Sequence, residues 1–170
     1  MSIPALSVVI PAFNEAAYLL RYLPSVLASL TRWEEITGCT GEVIVVDNAS
    51  TDATADMASS FGVRVVTESV RNIGRVRNAG AAAARSGRLF FTDADVALPL
   101  EAVTAAAAAM DAGAVGGAIP PLYTPERLCA RLLCAYWDHY RTRRGGPRAS
   151  TSSAPPTPST TSVGIGTTCS

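Results

Sequence analysis

The feature that most constrains this chain is an alternation. From Leu6 to about residue 119, short and continuously apolar runs take turns with stretches of helical periodicity. Leu6 to Ile10, Glu42 to Val46, Val63 to Thr67, Leu89 to Thr92 and Ala114 to Ile119 read as five strands. Strands apolar on both faces and joined by helices belong in a mostly parallel sheet covered on both sides, because parallel neighbours need long crossovers. The expected fold is therefore α/β. The connecting helices follow Asn14 (apolar at Leu19, Leu20, Leu23 and Val26, with Pro24 a kink or an end), follow Ser50-Thr51-Asp52 to about Ser60, and span Gly74 to Gly87 and Pro99 to Ala112. Residues 32 to 41 read as a loop. With 48% apolar and 16% charged residues, the chain can bury a core rather than remain disordered.

Sheets of this kind bind ligands outside the carboxyl ends of their strands. Polar residues gather at those ends: Asn14 and Glu15, Asp47 and Asn48, Asp93 and Asp95. Carboxylates at the exits of adjacent strands predict one pocket. In extended backbone, residues two apart point the same way, so Asp93 and Asp95 present two hard oxygen donors suited to Mg²⁺ or Mn²⁺. Such a triplet is commonplace alone; its place after the apolar Leu89-Phe90-Phe91-Thr92 run is what gives it weight. Asp47 ends a strand and can accept hydrogen bonds from a base or ribose. Ser50, Thr51 and Asp52 are expected to cap the helix that follows them. Asn14 either caps its own helix or contacts a ligand, and Glu15 is the better ligand candidate. In Arg71-Asn72-Ile73-Gly74-Arg75-Val76-Arg77, guanidinium groups can pair with phosphate, with Arg77 best placed to face the pocket.

Four segments, SVVIPAFNEAAYL, EVIVVDNASTDAT, NIGRVRNAGAAAA and FFTDADV, in this order and spacing over about residues 6 to 119, resemble the family-two inverting glycosyltransferases of GT-A fold. The resemblance implies a nucleotide-diphospho-sugar transferase fold, incomplete at its C-terminus. It implies that Pro11, Ala12, Glu15 and Asp47 surround the base and ribose of a uridine- or guanosine-linked sugar. It places Arg77 near the nucleotide, Asp93 beside the ribose, and Asp95 on a Mg or Mn divalent cation. The expected reaction moves the sugar to an acceptor hydroxyl, saccharide or lipid-linked, while the cation neutralises the departing diphosphate. Members of that family draw their general base from an acidic pair after a downstream Gly-Gly-aromatic motif. No Asp or Glu follows Asp138 here, so the catalytic base has no counterpart. Donor binding with little transfer, or a non-catalytic remnant, is the alternative expectation.

The expected organisation is a nucleotide-sugar-binding α/β domain over residues 1–119, an amphipathic helix of the same domain over 120–146, and a disordered Ser/Thr/Pro-rich tail over 147–170. The helix carries Leu128, Leu132, Leu133, Tyr136 and Trp137 on its apolar side, and its exposure predicts self-association. The tail suggests either a natural disordered segment or a reading-frame change near Gly146. Read one nucleotide earlier, the codons of Val163, Gly164 and Ile165 can encode Gly-Gly-Tyr.

Other classes fit poorly. A formal net charge of zero offers no basic field for nucleic acid. The turn PAFNEAAYL lacks the glycines and basic residues that a nucleotidyltransferase needs, and no GxGxxG follows the first strand. The four cysteines, lacking CxxC spacing, read as buried free thiols of a reducing cytosol. The predicted location is cytoplasmic, with peripheral membrane attachment allowed.

Overall fold

Four parallel strands, in the order β3-β2-β1-β4, form the centre of the protein. The computed structural model describes residues 3–119 and, further on, Cys129, Leu132, Leu133, Ala135, Tyr136, His139 and Tyr140. Among the described residues, those up to Gly117 belong to one unit and those from Ala118 to a second. In the first unit the elements run β1 (Leu6–Ala12), α1 (Ala16–Thr37), β2 (Gly41–Asp47), α2 (Thr54–Ser60), β3 (Arg64–Thr67), α3 (Ile73–Ala83), β4 (Leu89–Phe91) and α4 (Ala102–Asp111).

The strands' apolar residues divide between two faces. Val8, Ile10, Ala12, Val43 and Val45 pack with Leu19, Leu23, Val26, Leu30 and Trp33 of α1 and with Val103 and Ala107 of α4. Val9, Ile44 and Val46 pack with Val76 of α3 on the opposite face. The chain therefore winds one way from β1 through β2 to β3, then crosses by α3 to the far side of β1, where β4 pairs. The strand order reverses between β1 and β4, and a sheet of this kind opens its crevice there.

Pro11 lies inside β1 because of where β4 stops. Ala12 accepts from the Asn48 amide on the β2 side, so Pro11 turns its missing N–H toward β4. The β1–β4 ladder ends at Val9 and Phe91, with the Thr92 amide donating to Val9 O, so no bond is lost there.

α1 continues through Pro24 and through the segment expected to be a loop, ending at Thr37. Pro24 is exposed, which leaves the freed carbonyl one turn back open to water. The residues Arg32-Trp33-Glu34-Glu35-Ile36 contain no breaker, and Trp33 is buried. Gly38, in left-handed backbone at φ 71°, closes the helix by donating to Glu34 O at 2.8 Å.

The expected fifth strand is absent: Ala114 to Ile119 has no strand pairing among the described residues. Gly116 and Gly117 weaken any strand there, and Gly113 turns the chain at φ 92°. The cysteine expectation also needs correction. Cys39 is disulfide-bonded, while Cys129 is free but exposed. No helix among the described residues is long and apolar enough to cross a membrane. Of the expected amphipathic helix, Leu132, Leu133 and Tyr136 are helical and exposed. Leu128, Trp137 and the 147–170 tail lie outside the described residues.

Candidate functional site

A cleft of about 360 Å³ opens at the reversal point. Pro11, Ala12, Phe13 and Glu15 line it from the β1 exit, and Asn48 from the β2 exit. Arg71, Asn72, Ile73 and Val76 line it from the start of α3, and Asp93 and Asp95 from the β4 exit. A second depression of about 450 Å³ lies on the outer flank between α1 and the segment leading to α4. Arg32 there pairs with Glu101 at 3.2 Å, and no strand end reaches it. The cleft at the strand ends is the one with chemistry.

The turn after β1 is held by the loop after β2, and the capping differs from that expected. Asn14 does not cap α1; Glu15 occupies that position without a side-chain bond. Asn14 takes left-handed backbone at φ 53°, and its Oδ1 accepts from the Thr51 amide at 2.8 Å and the Thr51 hydroxyl at 3.2 Å. In return, the exposed amides that open α1 are satisfied by the β2–α2 loop. The Asn14 N–H donates to Ser50 Oγ at 3.0 Å, the Glu15 N–H to Thr54 Oγ1 at 2.8 Å, and the Ala16 N–H to Asp52 Oδ2 at 3.3 Å. Asp52 serves both helices, since its Oδ1 accepts from the Thr54 amide at 3.0 Å and from the Thr54 hydroxyl. Those bonds hold the Asp52 carboxyl below its usual range. Ser50 and Thr51 thus brace α1 rather than cap α2. The helix dipole of α1 favours this arrangement, because it attracts the Asp52 charge to its amino end.

Glu15 emerges from this brace half-buried. Its carboxyl is pushed above the ordinary carboxylate value, first by burial and then by Asp95, with Asp93 and Asp52 adding to the repulsion and a backbone hydrogen bond at Phe13 opposing it. Asp93 and Asp95 are exposed and both line the cleft, while Ala94 between them is buried. Arg77 does not line the cleft; it reaches Asp93 in a 3.0 Å ion pair.

Asp47 sits behind the lining rather than in it. It is 6% exposed, and its Oδ2 accepts from the Ser50 amide at 3.3 Å. Its Oδ1 is buried with no hydrogen-bond partner. Such an orphaned acceptor costs about 1–3 kcal/mol and calls for an explanation. The β2 and β4 exits flank β1, so three adjacent strand exits meet here and the outer two stand about 10 Å apart.

The cleft also contains residues that sequence reasoning named without assigning them to the site. Asn48 is buried, and its Nδ2 donates to Glu68 O at 2.6 Å and Val70 O at 2.9 Å, tying the β3–α3 loop to the β2 exit. Asn72 caps α3 by accepting from the Arg75 amide at 3.1 Å. Arg71 lies over the Phe13 ring. The signal for Arg71 was available: it immediately precedes an Asn N-cap, so it stands at the strand-exit end of α3, whereas Arg77 lies more than a turn further along. No cluster of three metal-binding side chains occurs among the described residues.

An open parallel sheet flanked by helices, with its crevice at the strand reversal, is the GT-A fold of the glycosyltransferases this chain resembles. The chain belongs to glycosyl transferase family 2, whose family model matches residues 7–158. It is similar to validoxylamine A glucosyltransferase of Streptomyces hygroscopicus, at 36% identity over 55% of this chain and 22% of that protein. Among solved structures it resembles S. aureus TarS in complex with UDP-GlcNAc, with TM-score 0.53 and 25% identity over 68% of this chain and 37% of that one. It also resembles glucosyl-3-phosphoglycerate synthase of Mycobacterium tuberculosis in complex with Mn²⁺, UDP-glucose and phosphoglyceric acid, with TM-score 0.53 and 27% identity over 65% and 40%. The matched region spans between 21% and 45% of the length of these curated relatives.

Proposed function

We propose that this chain binds a nucleoside-diphosphate sugar, uridine- or guanosine-linked, across the β1–β4 crevice and takes part in moving the sugar to an acceptor hydroxyl. The observation that carries this reading is the single cleft joining the Pro11–Glu15 turn to Asp93 and Asp95. Pro11, Ala12 and Glu15 form the base and ribose side. Asp47, standing behind them, is assigned to the same base and ribose side as a hydrogen-bond acceptor. Asp93 borders the ribose, and Arg77 holds its carboxylate in place. Arg77 contributes positive charge next to the nucleotide without lining the cleft.

Asp95 is assigned to a Mg²⁺ or Mn²⁺ ion. The residues fit this role, since Mg²⁺ is commonly held by one or two carboxylates together with substrate phosphates rather than by a full protein cage. Burial first, and then Asp95 and Asp93, push Glu15 toward its neutral form. When bound, the ion supplies neutralisation of the charge that grows on the departing diphosphate. The sugar-nucleotide and Mn²⁺ complexes of the two solved relatives support this reading.

The test is calorimetric titration with UDP-glucose and GDP-mannose, with and without Mn²⁺. Mn²⁺ is expected to tighten one of the two by about tenfold or more, a difference of about 1.4 kcal/mol, and Asp95→Asn to remove that gain. Binding of neither donor, or a gain that survives in Asp95→Asn, refutes the assignment. A second reading is donor binding without transfer. Release of nucleoside diphosphate that depends on added acceptor separates it from the first.

A further inference from the structure

Two side chains of the cleft lining rest on one another. The Arg71 guanidinium carbon lies 4.0 Å from the centroid of the Phe13 ring. Both residues line the cleft, and Phe13 is the one aromatic side chain that does so among the described residues. At this spacing the two groups are in contact, and a flat heterocycle between them would need a gap of about 7 Å, two stacking distances.

The pairing is unexpected on charge alone. Glu15, Asp93 and Asp95 line the same cleft, and Arg71 is the one cation among the described lining residues. It nevertheless makes no ion pair among the described residues and rests on the ring. Its backbone is anchored on both sides. Asn48 holds the Val70 carbonyl at 2.9 Å, and Asn72 caps α3. The side chain itself is exposed and unanchored apart from the ring. It can therefore move without unfolding the loop that carries it.

We propose that Arg71 is a side-chain gate over the base pocket: the guanidinium covers Phe13, and a nucleobase displaces it from that face. Once displaced it remains the cation of the lining, and it turns onto the diphosphate of the same ligand. The gate rests on the donor-binding reading above. It makes binding depend on both ends of the ligand, because a base without phosphates must open the gate with nothing to receive the freed charge. A nucleoside diphosphate regains an Arg–phosphate pair in exchange for the lost ring contact.

The experiment compares uridine with UDP, and guanosine with GDP, on wild type, Arg71→Ala and Arg71→Lys, by ligand-observed NMR and calorimetry in the presence of Mn²⁺. Arg71→Ala is expected to bind the nucleoside about two- to fivefold more tightly than wild type, the competition of an exposed cation–π contact having been removed. The same variant is expected to lose most of the advantage that the diphosphate has over the nucleoside. Arg71→Lys, which keeps the charge on a poorer stacking group, should restore part of that advantage. Phe13→Leu serves as the second variant, and in that background removing Arg71 should no longer tighten the nucleoside. Equal weakening of nucleoside and diphosphate in Arg71→Ala, or no change in either, overturns the gate while leaving donor binding standing. Failure of wild type to bind either ligand overturns the donor reading and the gate with it.

Discussion

Gly80 decides how closely α3 can approach the sheet. A Cβ built there would overlap Val9 Cγ1 and lie 2.9 Å from Val46 Cγ2. Both valines are fully buried on the central strands β1 and β2, so neither has room to retreat. Overpacking of this kind costs about 1–3 kcal/mol, and rigid β-branched neighbours argue for the upper part of that range. Alanine returns about 0.5–1 kcal/mol through its better helix propensity. Gly80→Ala is therefore expected to destabilise the protein by about 1–2 kcal/mol. Gly87→Ala is the matched control. Nothing lies within 4 Å of its Cβ position, and Gly87 is not among the positive-φ glycines, so the same substitution should be neutral or stabilising by up to about 1 kcal/mol. Urea unfolding followed by far-UV circular dichroism gives both values, with a common slope confirming that the unfolded states are alike. If Gly80→Ala proves as stable as Gly87→Ala, the close packing of α3 described above is wrong. With it would fall the account of how Ile73 and Val76 come to line the cleft.

Glu15→Gln should make the ligand-free protein more stable near neutral pH, because wild-type Glu15 is held ionised against burial and against Asp95, Asp93 and Asp52. The folded-state pKa is raised, so the wild type recovers stability as the pH falls through it. The advantage of the variant must shrink in parallel. Urea melts in chelator from about pH 8 to about pH 4 measure this, and a constant difference across that range contradicts it. Asn48→Ala removes the two bonds to Glu68 O and Val70 O, at a cost of about 1–2 kcal/mol. It should selectively speed hydrogen exchange in the β3–α3 loop, and uniform acceleration throughout the protein would argue against a local clamp.

The frame of this fold could be read directly from the residues. Apolar runs ending at Asp47 and Asp93 become parallel strands because only a sheet covered on both sides buries them, and that placement brings Pro11, Ala12, Glu15, Asp93 and Asp95 around one cleft. What sequence reasoning could not supply is which partner a polar side chain chooses. Asn14, Ser50 and Thr51 have the composition of N-caps, and a local rule assigns each to the helix that follows it. In three dimensions Asn14 and the β2–α2 loop satisfy each other across more than thirty residues of chain. The strand expected at Ala114 to Ile119 fails for a related reason. An apolar pattern alone does not make a strand, and Gly113, Gly116 and Gly117 work against pairing there. Arg71 was legible in part: its place just before the Asn72 N-cap sets it at the strand-exit end of α3, while its contact with Phe13 depends on the lie of the loop.

The proline in β1 has a consequence for how the protein could change over time. A longer β4 would normally zip onto its neighbour residue by residue, but at position 11 it would find no hydrogen to accept. Any extension of the sheet past Val9 on that side stalls, so the mouth of the crevice stays unsealed by covalent design, whether or not anything occupies it.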